Sequence, residues 1–247
     1  MSDVRAREEN ITDKGTRLID LSLGIWNNMP AHRLFPSPVL LPYATHETSV
    51  AAGLGTEDDP MTYSVGYLAT LEHVGTHVDA PLHIDPNGAS MEKMSLDWYV
   101  GPAICLDLRH IGDLEYIEVE DLERAQKEAG IDIDGHIVLM CTGFHARHWP
   151  RPEVTTRNPG LTAQATHWLA DRNSRMHGVE GPSTDRADRT DFPSHRVCRD
   201  RHIYHFEWLV NLDQLIGVGE FRFYGFPLKI EGGTGSPVRA VAELPGV

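Results

Sequence analysis

Four side chains able to bind a metal or carry a proton fall within the eleven residues His73-Val74-Gly75-Thr76-His77-Val78-Asp79-Ala80-Pro81-Leu82-His83. In an extended chain side chains alternate between faces, so His73, His77 and Asp79 would share one face. At about 3.3 Å per residue, His73 and His77 would then stand roughly 13 Å apart, farther than two ligands of one ion can span. The chain has to bend between them. Gly75 permits the bend, and Pro81 argues against helix in the second half. A metalloprotease-type helix would need Glu after the first His, where this chain has Val74. Gly75, Thr76, Val78 and Pro81 also make a poor helix, so a kinked strand or loop is expected.

Neutral imidazoles with a carboxylate form the ligand set of a borderline divalent metal, and three such ligands leave a position for water. The competing reading pairs His77 with Asp79 and leaves His73 and His83 on the surface, as befits a chain with fourteen histidines. It suits each residue singly better than it suits all four together.

The same eleven residues resemble the signature of the cyclase-like metal-dependent hydrolases, the family that contains bacterial kynurenine formamidase and, more distantly, isatin hydrolase. The pattern His-x-Gly-Thr-His-x-Asp-x-Pro-x-His is matched in full. The resemblance continues more loosely through Gly178-Val179-Glu180-Gly181-Pro182-Ser183-Thr184-Asp185, where Glu180 stands at a position usually held by Asp. By resemblance, His195 and Glu207 complete a second metal site beside His73, His77 and Asp79. Asp79 then bridges both ions, since a carboxylate has two oxygens and an imidazole one free lone pair. His202 and His205 are expected as surface or hydrogen-bonded histidines. The resemblance also places His83 beside the metal rather than on it, as the group that moves a proton. It further implies a swivelling β/β/α fold and assembly into a homodimer or homotetramer.

Length and composition set wide bounds. The 247 residues suffice for one domain with a substantial core, expected over 17–247 behind a flexible N-terminal arm at 1–16. A net charge of −14 disfavours nucleic acid or an anionic membrane as partner. Cys105, Cys141 and Cys198 form no Cys-x-x-Cys pair, so neither a disulfide framework nor a zinc knuckle is suggested, and a reduced cytoplasmic setting is expected. Neither a signal peptide nor a membrane-spanning apolar run is evident.

Strands are expected at Arg17 to Leu23, Val39 to Thr48, Tyr63 to Glu72, Ala103 to Leu108 and His136 to Cys141. Val119 to Ala129 and Leu161 to Asp171 show helical spacing, the first stopped by Gly130. The class is α/β. Trp26, Phe144, His145 and Trp149 are candidate substrate-binding groups, the last three in a loop from Phe144 to Pro150 that could close as a lid.

Gly232-Gly233-Thr234-Gly235 lacks the Gly-Lys-Ser/Thr ending of a phosphate loop and is expected as a turn. Ser183 has no nucleophile elbow and no cysteine a nucleophile context. The expected chemistry is therefore hydrolysis of a small-molecule amide, with one or two Zn²⁺ or Mn²⁺ ions acidifying a water to a pKa of about 7. A closed structural metal site and a lyase or cyclase reaction are the alternatives; solvent oxygen entering the product would exclude the last.

Overall fold

Two apolar runs, Val100–Asp107 and Ile137–Cys141, lie side by side and are covered on both faces, which is why they lack polar alternation. Ala103, Cys105, Ile137, Leu139 and Cys141 face one core, whereas Ile104, Leu106, Val138 and Met140 face another. Around this pair the computed structural model, which describes residues 16–245 except 33 and 57, builds a mixed α/β domain.

The strands are β1 (Arg17–Asp20), β2 (Val39–Ala44), β3 (Val65–Ala69), β4 (His77–Asp79), β5 (Val100–Asp107), β6 (Tyr116–Ile117), β7 (Ile137–Cys141), β8 (Gly160–Leu161), β9 (Met176–Val179), β10 (Tyr204–Glu207), β11 (Phe221–Tyr224), β12 (Gly235–Pro237) and β13 (Val241–Leu244). The helices are α1 (His46–Ser49), α2 (Val119–Ala129), α3 (Phe144–His148), α4 (Ala163–Asp171) and α5 (Pro193–Arg201). One sheet runs β1-β13-β11-β5-β7-β9-β10-β4-β12. Its centre, β5-β7-β9-β10, is parallel, and the pairs outside it are antiparallel.

The expected helix over Val119–Ala129 forms with those bounds. Glu118 and Asp121 cap each other's backbone N–H groups at its start, and Gly130 ends it at φ 70°. Leu122 and Ala125 are its buried face; with Ala165, Trp168 and Leu169 of α4 they cover the second core. Thr162 caps α4 by accepting from the Ala165 N–H, so Leu161 falls in β8 and not in the helix.

Three expectations shift. The strand from Val39 stops at Ala44, because Thr45 caps the α1 turn. Only Val65–Ala69 of the expected strand up to Glu72 is extended, and it pairs with β2 in a ribbon separate from the main sheet. The presumed loop from Phe144 is helical to His148, since Glu180 accepts the Thr142 and Phe144 N–H groups and the Thr142 hydroxyl at its start. The expected arm at 1–16 lies, but for Thr16, outside the described residues.

Candidate metal centre

Gly75 makes the bend that the spacing requires. It sits at φ 68°, in the left-handed region that costs glycine least, and brings the His73 and His77 rings to 5.2 Å between centroids. Thr76 fastens the bend: its hydroxyl donates to the Trp208 carbonyl at 2.6 Å and accepts the Leu23 N–H at 2.8 Å. The chain then enters β4, antiparallel to β10, with His77 opposite Glu207 and Val78 opposite Phe206. One step along the same register sets Asp79 against His205. Two-residue alternation puts all four polar side chains on one face.

The donor atoms gather around Asp79. His73, Asp79 and His83 form one group, and Asp79, His195, His205 and Glu207 another; within each group the atoms lie within 4.8 Å of one another. His77 Nε2 stands between the carboxylates, 3.5 Å from Asp79 Oδ1 and 3.4 Å from Glu207 Oε2. His205 Nε2 is 3.1 Å from Asp79 Oδ2 and 3.3 Å from Glu207 Oε1. His195 arrives from the first turn of α5, where Asp185 accepts from its Nδ1 at 2.5 Å and from the Ser194 N–H at 2.7 Å. This sets the other ring nitrogen, Nε2, 3.9 Å from Asp79 Oδ2.

The hydrogen bonds fix which nitrogen of His77 carries the proton. Its Nδ1 faces the Gly75 carbonyl at 2.8 Å, and a carbonyl only accepts, so Nδ1 is protonated and Nε2 presents a lone pair. That Nε2 is buried without a hydrogen-bond partner. His73 repeats the arrangement. The Thr234 hydroxyl donates to Glu72 and so accepts from His73 Nε2 at 3.0 Å, leaving His73 Nδ1 to face Asp79 Oδ1 at 2.8 Å.

Lone pairs facing carboxylate oxygens need a cation or a proton between them. Without an ion, protons must serve. Burial opposes charging His77, yet the carboxylates of Asp79 and Glu207, which would accept from the protonated ring, hold it up to about 10. His205 is likewise held well above the usual imidazole value, against its burial, chiefly by the charge of Asp79. Against the same burial, His205 leads in holding Glu207 down to about 2 and Asp79 well below the carboxylate range. Ligand atoms about 2.0–2.2 Å from one tetrahedral ion sit roughly 3.3–3.6 Å apart, close to the separations around His77 and His205. The residues present fit a divalent metal.

His83 differs from these groups. It is partly exposed on the turn after Pro81, its ring 4.1 Å from that of His73 and its Nε2 3.8 Å from Asp79 Oδ2. Partial burial lowers its pKa, with Asp79 opposing, so it is neutral near pH 7. It borders a cavity of about 200 Å³ beside His73, Asp79, His195 and Glu207. Leu34, Phe35 and Phe192 supply the apolar wall of this cavity.

The structure thus brings together the six expected site residues His73, His77, Asp79, His83, His195 and Glu207. It corrects the expected surface or hydrogen-bonded role of His205, which is 1% exposed with neither ring nitrogen hydrogen-bonded. Its spacing of two residues from Glu207 on a strand was the available signal. His202 is exposed, as expected. The candidate substrate-binding groups Trp26, Phe144, His145 and Trp149 do not line the cavity. Phe144 is buried with Val154 and Trp208, while Trp149 lies edge-on to Trp26 and Trp208 with His145 stacked on it. The reason is α3, which draws these rings into a core of their own. Asp185, at the end of the looser resemblance, orients His195, and Thr234, in the expected turn, orients His73; neither residue's type or spacing announces that role.

A carboxylate-centred cluster of imidazoles near the edge of a mixed α/β sheet, opening on a small cavity, has the donor set of a divalent-metal centre. The family model described as "Putative cyclase" matches residues 19–186, and the chain belongs to that family. It is 32% identical to a kynurenine formamidase of Salinibacter ruber, over 74% of this chain and 82% of the relative. A kynurenine formamidase of Bacillus cereus is also 32% identical, over 75% and 83%. Isatin hydrolase A from Ralstonia solanacearum superposes with a TM-score of 0.79 at 27% identity, covering 93% of this chain and 92% of that one.

Proposed function

We propose that this chain hydrolyses a carbonyl C–N bond, with an arylformamide such as N-formylkynurenine as the substrate favoured first. The observation that carries the reading is His77 Nε2, a lone pair fixed by the Gly75 carbonyl and aimed between the oxygens of two buried carboxylates. His73, His77, Asp79, His195 and Glu207 would hold one or two Zn²⁺ or Mn²⁺ ions, which when bound supply a Lewis acid and lower the pKa of water to about 7.

The chain's own groups do the rest. His83, neutral and facing the cavity, accepts the proton of the attacking water through Nε2 and delivers it to the departing nitrogen, a role worth about 10²–10⁴ in rate. Leu34, Phe35 and Phe192 bury the substrate's aromatic ring and exclude water around the carbonyl. Asp185 and Thr234 hold the His195 and His73 rings in place.

Ring opening of a cyclic amide such as isatin is the second reading, supported by likeness to an isatin hydrolase across nearly the whole chain. Both readings keep a small-molecule substrate and a homodimer or homotetramer. The ribbon's exposed Leu41, Tyr43, Tyr67 and Leu68 are the surface expected to pair. No helix among the described residues is long and apolar enough to cross a membrane, and three buried free cysteines suit the reduced cytoplasm we infer.

The deciding experiment is turnover of N-formylkynurenine and isatin side by side, after chelation and after adding back Zn²⁺ or Mn²⁺. Metal-restored activity on one substrate is expected and chooses the branch. Activity that survives complete chelation would overturn the reading.

A further inference from the structure

Behind the metal cluster, and adjacent to it at His205, lies a buried chain of polar groups whose direction can be deduced. Thr166 donates its hydroxyl proton to the Thr162 carbonyl at 3.1 Å. Thr166 therefore accepts from Ser194 at 2.9 Å, and Ser194, its one proton spent, accepts from Thr184 at 3.1 Å. Thr184 in turn has no proton left for His177, whose Nε2 stands 2.8 Å away, so His177 Nε2 is the donor. His177 Nδ1 then carries a lone pair. It is buried and has no hydrogen-bond partner.

That lone pair has company. His177, Cys198 and His205 each bring a ligand-capable atom within 4.8 Å of the others, and all three residues are buried. The His177 and His205 rings lie 5.3 Å apart at 30°. No hydrogen bond joins the three, but an acceptor in so dry a place favours a donor near it, and a proton on His205 Nδ1 or on Cys198 Sγ is what the cluster can offer. With its proton on Nδ1, His205 presents its Nε2 lone pair to Asp79 Oδ2 and Glu207 Oε1, two acceptors that cannot satisfy it.

We propose that His205 is a metal ligand through Nε2, and that the relay Thr166-Ser194-Thr184-His177, together with Cys198, sets its ligating tautomer. This rests on the reading of the front cluster as a metal centre. Its consequence is an asymmetry. Asp79, His195, His205 and Glu207 form a closed set of four protein ligands, whereas the His73 and His77 side keeps a position open towards His83 and the cavity. Thr184 has a second tie to the site, donating its N–H to Glu207 Oε1 at 3.2 Å, so the relay also positions that carboxylate.

The test is metal stoichiometry and affinity by calorimetric titration of chelated protein, with ¹⁵N-detected tautomer assignment of His177 and His205 in the zinc-loaded protein. Wild type is expected to show His205 protonated on Nδ1 with Nε2 shifted by metal, and His177 protonated on Nε2. His205→Gln is expected to lose one class of site. Thr184→Val is expected to weaken that class by about 10–100-fold, the usual loss for an outer partner, with Thr184→Ser restoring it. Cys198→Ala should weaken it less than His205→Gln does, and Cys198→Ser should rescue.

An unchanged affinity in a folded His205→Gln protein, or a His205 spectrum protonated on Nε2, would overturn the proposal while leaving the metal centre standing. Wild-type protein that binds no metal at all would instead overturn the reading beneath it. Should His205→Gln fail to fold, the Thr184 pair and the wild-type spectrum decide alone.

Discussion

The two halves of the metal centre are built differently. His73, His77, Asp79 and His83 come from one bent segment, of which His73, Asp79 and His83 line the cavity, and it ends on a partly exposed imidazole. His195, His205 and Glu207 come from a helix and a strand; His195 and Glu207 meet the same cavity, while His205 is 1% exposed and lies against a buried relay. The difference lies at the ends: His83 gives the first half its access, and His205 gives the second a sealed anchor. Both strands are paired on two sides, β4 between β10 and β12 and β10 between β9 and β4, so the difference arises beyond β4, where the turn at Pro81 carries His83 out of the sheet.

Asp79 belongs to both halves, so its loss should erase the contrast. Asp79→Ala is expected to remove the bound metal and with it activity, by more than the 10–100-fold that an outer partner costs. Elemental analysis of the purified variant checks it; full metal content would show that Asp79 does not bridge.

His83→Ala should separate the halves most clearly. Metal content is expected to stay near wild type while turnover falls about 10²–10⁴-fold. Metal loss equal to that of Asp79→Ala would make His83 a ligand and end the distinction between them.

On the sealed side, Asp185→Asn should weaken metal binding about 10–100-fold through misorientation of His195, and lower stability by about 1 kcal/mol through the weakened start of α5. Titration and thermal melts read the two effects separately. On the open side, Gly235→Ala would set a Cβ 2.6 Å from the His73 ring, forcing that ring or β12 to move at a cost of about 1–3 kcal/mol. A melt unchanged from wild type would mean that His73 yields freely.

A last effect is expected on the pH dependence of the metal-free protein. His77, held up to about 10 from 6.5, contributes stability that is complete below pH 6.5 and lost as pH rises towards 10. Glu207, held down to about 2 from 4.5, contributes stability that is present above pH 4.5 and lost as pH falls towards 2. Melts of chelated protein should therefore be highest between about pH 4.5 and 6.5, and added Zn²⁺ should remove the alkaline decline. A decline that persists with metal would assign it elsewhere.

Local chemistry fixed a good deal of this in advance. The incompatible reach of His73 and His77 required a bend, and only Gly75 between them could make it cheaply. The 3.6-residue period and Gly130 set the limits of α2, and uninterrupted apolar runs announced β5 and β7 as strands covered on both faces. His195 and Glu207 were reached by resemblance and not from spacing, because nothing local ties a helix start and a strand end to a segment more than a hundred residues earlier.

What tertiary structure alone decided is pairing. The antiparallel register of β4 against β10 turned His205 from one histidine among fourteen into a neighbour of two carboxylates. The capping of α3 by Glu180 withdrew Phe144, His145 and Trp149 from the cavity. Sequence determines which side chains a segment can present and where it must turn. Which acceptor meets which donor, and hence where a lone pair is left for a metal, depends on distances between segments that only the packed sheet establishes.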